Sequence, residues 1–175
     1  MLHYLHMDIK NPKTNLWWNY LAPDLKELFL ESLLLLEKTK QWNDKFHDYS
    51  FVVFPAAKAY EGVLKHIFLD LGFIDKIGFL DKHFRIGKSL NPSLDRQHQG
   101  RDWVYDDLAK HCQGKDLPDK LWETWKHSRN LAFHWFPGEK NSLSLPQAEE
   151  RLSMIFDAID AIFRVCRINI NDKIK

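Results

Sequence analysis

An excess of charge of one sign is missing from this sequence. Lysine and arginine number 25 against 24 aspartate and glutamate, a formal net charge of +1. No overall basicity draws the chain to polyanions, so any nucleic-acid site has to be a local patch. Long apolar runs are missing too. Stretches such as Leu33–Leu36 fall far short of the roughly 20 residues a membrane-spanning helix needs. The opening residues MLHYLHMDIKNPK also lack the apolar core of a signal peptide. The expectation is a soluble, cytoplasmic chain with no membrane partner. Cysteine is scarce: Cys112 and Cys166 have neither CxxC spacing nor the density of a disulfide scaffold. Two ordinary buried thiols in a reducing compartment are expected. Runs alternating between apolar and polar residues are rare, with HDYSFVVF at 47–54 the only strand candidate. Internal repeats and low-complexity tracts are absent.

What the sequence has in quantity is core material. Hydrophobic residues make up 45% and aromatics 14%, with seven tryptophans and twelve phenylalanines. A chain of 175 residues is expected to form one domain over 1–175, with its core at about 23–168. It should bury about two-thirds of the surface its unfolded form exposes. Five segments have helical periodicity. The first runs from Pro23 to about Phe46, with Leu25, Leu28, Phe29, Ser32, Leu33 and Leu36 three and four residues apart. The second runs from Pro55 to Gly72, with a stripe of Tyr60, Val63, Leu64, Ile67, Phe68 and Leu71. The others begin at Arg101, Leu117 and Ser144, the last with Pro146, Glu149 and Glu150 suited to a positive helix N-terminus. A glycine-punctuated connection, 72–100, contains FLDKHF as one short helical piece. The fold class predicted is all-α, a compact bundle of about five helices with one long glycine-containing connection.

The stretch HSRNLAFHWFPG, His127–Gly138, places chemistry in an apolar helix. With α-helical phase, Trp122, Trp125, Arg129, Ala132 and Phe136 share a stripe, so Arg129 is predicted within the apolar face. A guanidinium there needs an acceptor. Glu61, at the border of the other strong helix's apolar face, is the candidate. Asn130 and His134 share a face with Lys126, about 100° from Arg129. Pro137 should end the helix near His134 and turn the imidazole toward a cleft. A free imidazole exchanges protons near neutrality and a guanidinium binds phosphate with two hydrogen bonds. Together they suffice for phosphodiester cleavage without a metal or other cofactor.

Arg129-Asn-Leu-Ala-Phe-His134 resembles the R-x4-6-H motif of the HEPN superfamily, including its polar residue after the arginine. The order of the YEGVLK helix, the glycine-rich connection and the late RN-x3-H helix is further similar to the C-terminal toxin domain of the RnlA/LsoA type, over roughly residues 50–165. The resemblance implies an endoribonuclease of a toxin-antitoxin or phage-defence system, acting as a homodimer on RNA and restrained by an antitoxin protein. It implies that His134 acts as base or acid, Arg129 stabilises the phosphoryl charge, and Glu61, in the place of the family's acidic residue, and Asn130 hold that pair.

Other readings stay open on the residues themselves. Arg129 and His134 also fit a structural pair, with the arginine bound to Glu61 and the histidine capping its own helix. In that case the chain is a non-catalytic binding or dimerisation module. Tryptophans 17, 18, 103, 122, 125 and 135 fit a core at helical spacing, Trp135 beside His134 being the best candidate for stacking on RNA bases. Lys88, Arg96 and Arg101 fit either a basic patch for RNA or solvated loop charges. His3, His6 and the adjacent His111 and Cys112 lack the further ligands at regular spacing that a metal site requires, so no metal is expected. The ending Arg167–Lys175 is expected to fray.

Overall fold

The computed structural model of the chain describes residues 11–138, 141–166 and 168. Within them every regular element is a helix. The long ones are α1 (Pro23–Gln41), α2 (Ser50–Asp70) and α8 (Leu145–Val165). Between them come α3 (Lys76–Leu80), α4 (Ile86–Leu90), α5 (Tyr105–His111), α6 (Asp116–Trp125), a π turn (Lys126–Asn130) and α7 (Leu131–Phe133). Short 3₁₀ turns sit at Pro12–Thr14, Leu16–Tyr20 and Arg96–His98. The five predicted segments correspond to α1, α2, α5, the α6–π–α7 path and α8, and the all-α bundle is the fold observed. Among the described residues no helix is long and apolar enough to cross a membrane. His3, His6 and most of the tail from Arg167 lie outside the described residues.

The central helix is α2, packed on α1, α8, the π turn, α3 and α4. It buries Val52, Val53, Ala56, Ala57, Ala59, Tyr60, Val63, Leu64, Ile67 and Phe68, well over half its circumference. Each large apolar side chain there contributes roughly 1.5–3 kcal/mol of burial free energy. Glu61 stands on the strip this packing leaves open, and so reaches solvent. The helix ends in a Schellman motif, with Phe73 N–H on Phe68 O at 2.8 Å and Gly72 N–H on Leu69 O at 3.1 Å. The turn requires φ of +74° at Gly72, which a glycine adopts without strain.

Five boundaries differ from the sequence reading. The strand candidate 47–54 is instead the start of α2, which begins at Ser50 and carries Pro55 inside it. A proline there has no N–H for Phe51 O, and its ring pushes that carbonyl away and opens the turn, which weakens the next backbone hydrogen bond. The buried Ser32 of α1 fills that gap by accepting the Ala56 N–H at 2.8 Å. Helix α1 stops at Gln41 rather than near Phe46, because Trp42 is extended at ψ 140°. FLDKHF straddles the end of α3 and the turn after it, and α5 begins at Tyr105 rather than Arg101. The core, finally, begins before Pro23: Trp17 is fully buried and stacks on Phe156 of α8 at 5.9 Å.

The two cysteines are a further correction. Cys112, at the end of α5, and Cys166, at the end of α8, form a disulfide with Cα atoms 5.1 Å apart. The expectation of free thiols failed because their spacing of 54 residues says nothing about two helix ends being brought together.

Candidate active site

The segment carrying Arg129 and His134 is not one uninterrupted α-helix. Leu131 N–H bonds Lys126 O, five residues back, so the turn Lys126–Asn130 holds one residue more than an α turn. Ser128 then points inward, buried, with its hydroxyl 3.4 Å from Arg151 O on α8. Arg129, one step on, faces α2. Its Nε lies 3.6 Å from Glu61 Oε2, with the two side chains 33% and 31% exposed. The predicted cross-helix partner is therefore in place. Arg129 itself does not lie within the apolar face as predicted, since a third of its side chain is open to water. An ion pair this exposed contributes up to about 1 kcal/mol to stability.

The other oxygen of Glu61, Oε1, accepts the indole N–H of Trp125 at 2.8 Å. Nothing in the sequence pattern pointed to this contact, since an indole on an apolar stripe reads as core. Trp125 stacks on Trp122 with ring centres 5.4 Å apart. The guanidinium of Arg129 also lies over the Phe133 ring at 5.4 Å, and Phe133 meets Phe54 of α2 edge to face.

His134 ends the path. Its backbone is extended at ψ 136°, as the following Phe-Pro pair predicted. The ring is exposed, with Nδ1 at 2.7 Å from Asn130 O and Phe136 stacked beside it. A carbonyl only accepts, so that bond requires the proton on Nδ1 and leaves the lone pair of the neutral ring on Nε2. Two parallel contacts between residues four apart thus close the helix: Arg129 over Phe133, and Asn130 O to His134. They fix guanidinium and imidazole separately, one in the π turn and the other at the residue that ends α7. The structure ties Asn130 to His134 through its main-chain oxygen. Asn141 closes the loop behind, donating to His134 O at 3.1 Å.

The expected RNA contacts divide. Trp135 is 82% exposed beside His134. Lys88 is exposed on α4. Lys126 lies 3.5 Å from Glu123, which also holds His127 at 3.2 Å. Arg101 faces Asp75 at 3.8 Å and Asp102 at 3.7 Å, so neighbouring carboxylates offset its charge. Of the remaining tryptophans, Trp17 and Trp18 are core, and Trp103 stacks on Tyr105 and donates to Asn91 O at 3.1 Å. Among the described residues no three His, Cys, Asp or Glu side chains gather as metal ligands would. No known protein family matches this chain, and neither a curated protein nor a solved structure does.

Proposed function

We propose that this chain is a metal-independent endoribonuclease of HEPN type, in which the ribose 2′-OH attacks the adjacent phosphorus and the leaving 5′-oxygen departs, giving a cyclic phosphate. One observation carries this reading: the exposed ring of His134 is held through Nδ1 near the same helix end as Arg129, whose guanidinium faces Glu61 with Nε at 3.6 Å. With Nδ1 committed, Nε2 takes a proton from the 2′-OH or, once protonated, gives one to the leaving oxygen. With Nε toward Glu61, the Nη atoms of Arg129 are the guanidinium edge left for the phosphoryl oxygens. The motif resemblance implies a homodimer, in which the motif imidazoles of two copies would divide the acid and base roles. Trp135 and Lys88 supply stacking and charge for RNA, with Lys126 and Arg101 as further cations. The motif resemblance points to a toxin or phage-defence effector, acting in the cytoplasm and restrained by an antitoxin protein.

The test is incubation with total RNA in EDTA. Wild type cuts and leaves cyclic phosphate ends, whereas His134→Ala, with an unchanged melting temperature, is slower by a factor of at least about 10². Equal, undiminished cleavage by the variant removes the proposal.

A second reading has its own support. Every contact of Arg129 and Nδ1 of His134 is also what a purely structural helix end would use. Beside them Trp135 at 82% and Phe54 at 51% exposure offer aromatic surface to a protein partner. A HEPN-like binding or dimerisation module would bind without cutting, and the same RNA incubation separates the two.

A further inference from the structure

We propose that Trp125 is the positioning residue of the Glu61–Arg129 pair and that Gly87 of α4 is the seat that makes this possible. The inference rests on Arg129 acting on phosphate as described above. An N···O distance of 3.6 Å between Arg129 Nε and Glu61 Oε2 lies outside hydrogen-bond range, so the ion pair attracts without fixing an orientation. The short contact to that carboxylate is the indole bond, 2.8 Å from Trp125 Nε1 to Oε1. A carboxylate held by one directional bond at Oε1 has its rotation set, and with it the place of Oε2. Trp125 therefore decides where the attraction on Arg129 is centred.

The indole can do this because it is itself immobile. One face stacks on Trp122, the planes 18° from parallel. Its far edge lies over Gly87: a Cβ at that position would fall 2.1 Å from Trp125 Cη2, 2.4 Å from Cζ2 and 2.6 Å from Cζ3. Real atoms do not approach so closely, so only glycine leaves room for the ring. The long connection between α2 and α5 thus contributes a wall of the site through α4. It bears on Arg129 through two intermediates, indole and carboxylate, without touching it.

The experiment combines kinetics with amide and side-chain ¹H–¹⁵N spectra at slightly acid pH. Trp125→Phe keeps an aromatic ring at the position but removes the donor, together with the outer edge of the indole that lies over Gly87. It should lower kcat for RNA about tenfold, the usual effect of losing a hydrogen bond to a charged group, with KM little changed. The Arg129 Nε–H signal, identified by its loss in Arg129→Lys, should move or broaden in the same variant. Gly87→Ala keeps the donor but displaces the ring, and should act in the same direction. Glu61→Gln leaves tryptophan and glycine intact and should shift the Trp125 indole signal. An Arg129 signal and kcat both unchanged in Trp125→Phe overturn the proposal. If the wild type cuts no RNA, the ribonuclease reading fails by itself. The spectra then decide the positioning claim alone, an unmoved Arg129 signal in Trp125→Phe or an unmoved indole signal in Glu61→Gln overturning it.

Discussion

At the scale of single residues, the side chains around the site are placed by bonds to main-chain groups as much as to each other. Asp48 is the clearest case. It accepts the Leu143 N–H at 2.9 Å and the Ser50 N–H and hydroxyl at 3.0 and 2.8 Å, while Tyr49 N–H bonds Leu143 O at 2.9 Å. This clamps the return from the His134 loop onto the start of α2. Partial burial works to raise the Asp48 pKa, but the Leu143 and Ser50 hydrogen bonds and the nearby His47 outweigh it, and the net shift is downward. A carboxyl lowered in the folded state contributes stability that is complete above its unfolded pKa and is lost as pH falls through its folded one. Asp48→Asn is therefore expected to melt a few degrees below wild type at neutral pH. The gap should start to close as pH falls through the ordinary carboxylate range, about 4, and vanish only below the lowered folded-state value, where the wild-type carboxyl protonates. Melting curves across an acid series check this, and a gap independent of pH would contradict it.

Among elements, packing overrides local preference in two places. Pro55 lies inside α2, where a proline costs about 3 kcal/mol in an isolated helix. The tertiary fold offsets part of that, since Ser32 of α1 takes over the Ala56 donor in a fully buried position. Ser32→Ala strands that N–H and is expected to cost about 1–3 kcal/mol, read from urea unfolding. A loss near zero would mean the Ala56 donor finds a main-chain acceptor without Ser32. The π turn is the second place. It exchanges regular α-helical hydrogen bonding for a geometry in which consecutive residues, Ser128 and Arg129, serve different neighbours, α8 and α2. Tyr60 of α2 makes a further tie, to α6, donating from full burial to Leu121 O at 3.1 Å.

Across the whole molecule, the Cys112–Cys166 bridge closes a loop of 54 residues that contains the entire α6–π–α7 path and α8. Loop-closure entropy for that length corresponds to about 4 kcal/mol of stabilisation. The double variant Cys112→Ser, Cys166→Ser should lower unfolding free energy by roughly that amount at saturating oxidant. Wild type treated with a dithiol reductant should match it. Unfolding midpoints in the oxidised and reduced forms provide the measurement, and coincident midpoints would falsify the bridge's role. A ribonuclease acting on cytoplasmic RNA meets glutathione, which keeps most thiols reduced. The reduced form is therefore the one whose activity bears on the proposed function.

What could be read from the chain alone was whatever depends on near neighbours. The apolar spacing of α1, α2 and α8, the Ser144 cap realised as a capping box with Gln147, and the helix stops at Gly72 and before Pro137 all follow from local geometry and turn chemistry. The pairing of Arg129 with Glu61 was legible for a different reason: a guanidinium on an apolar stripe needs an acceptor, and Glu61 stood at the edge of the other strong helix. The tertiary structure alone decided the rest. Proline inside α2, the π turn, the disulfide and the Gly87–Trp125–Glu61 contact each depend on which element comes to lie opposite, and helical periodicity is silent about that. A glycine in a loop and an indole on a stripe become parts of one site only when chain packing brings α4 under α6.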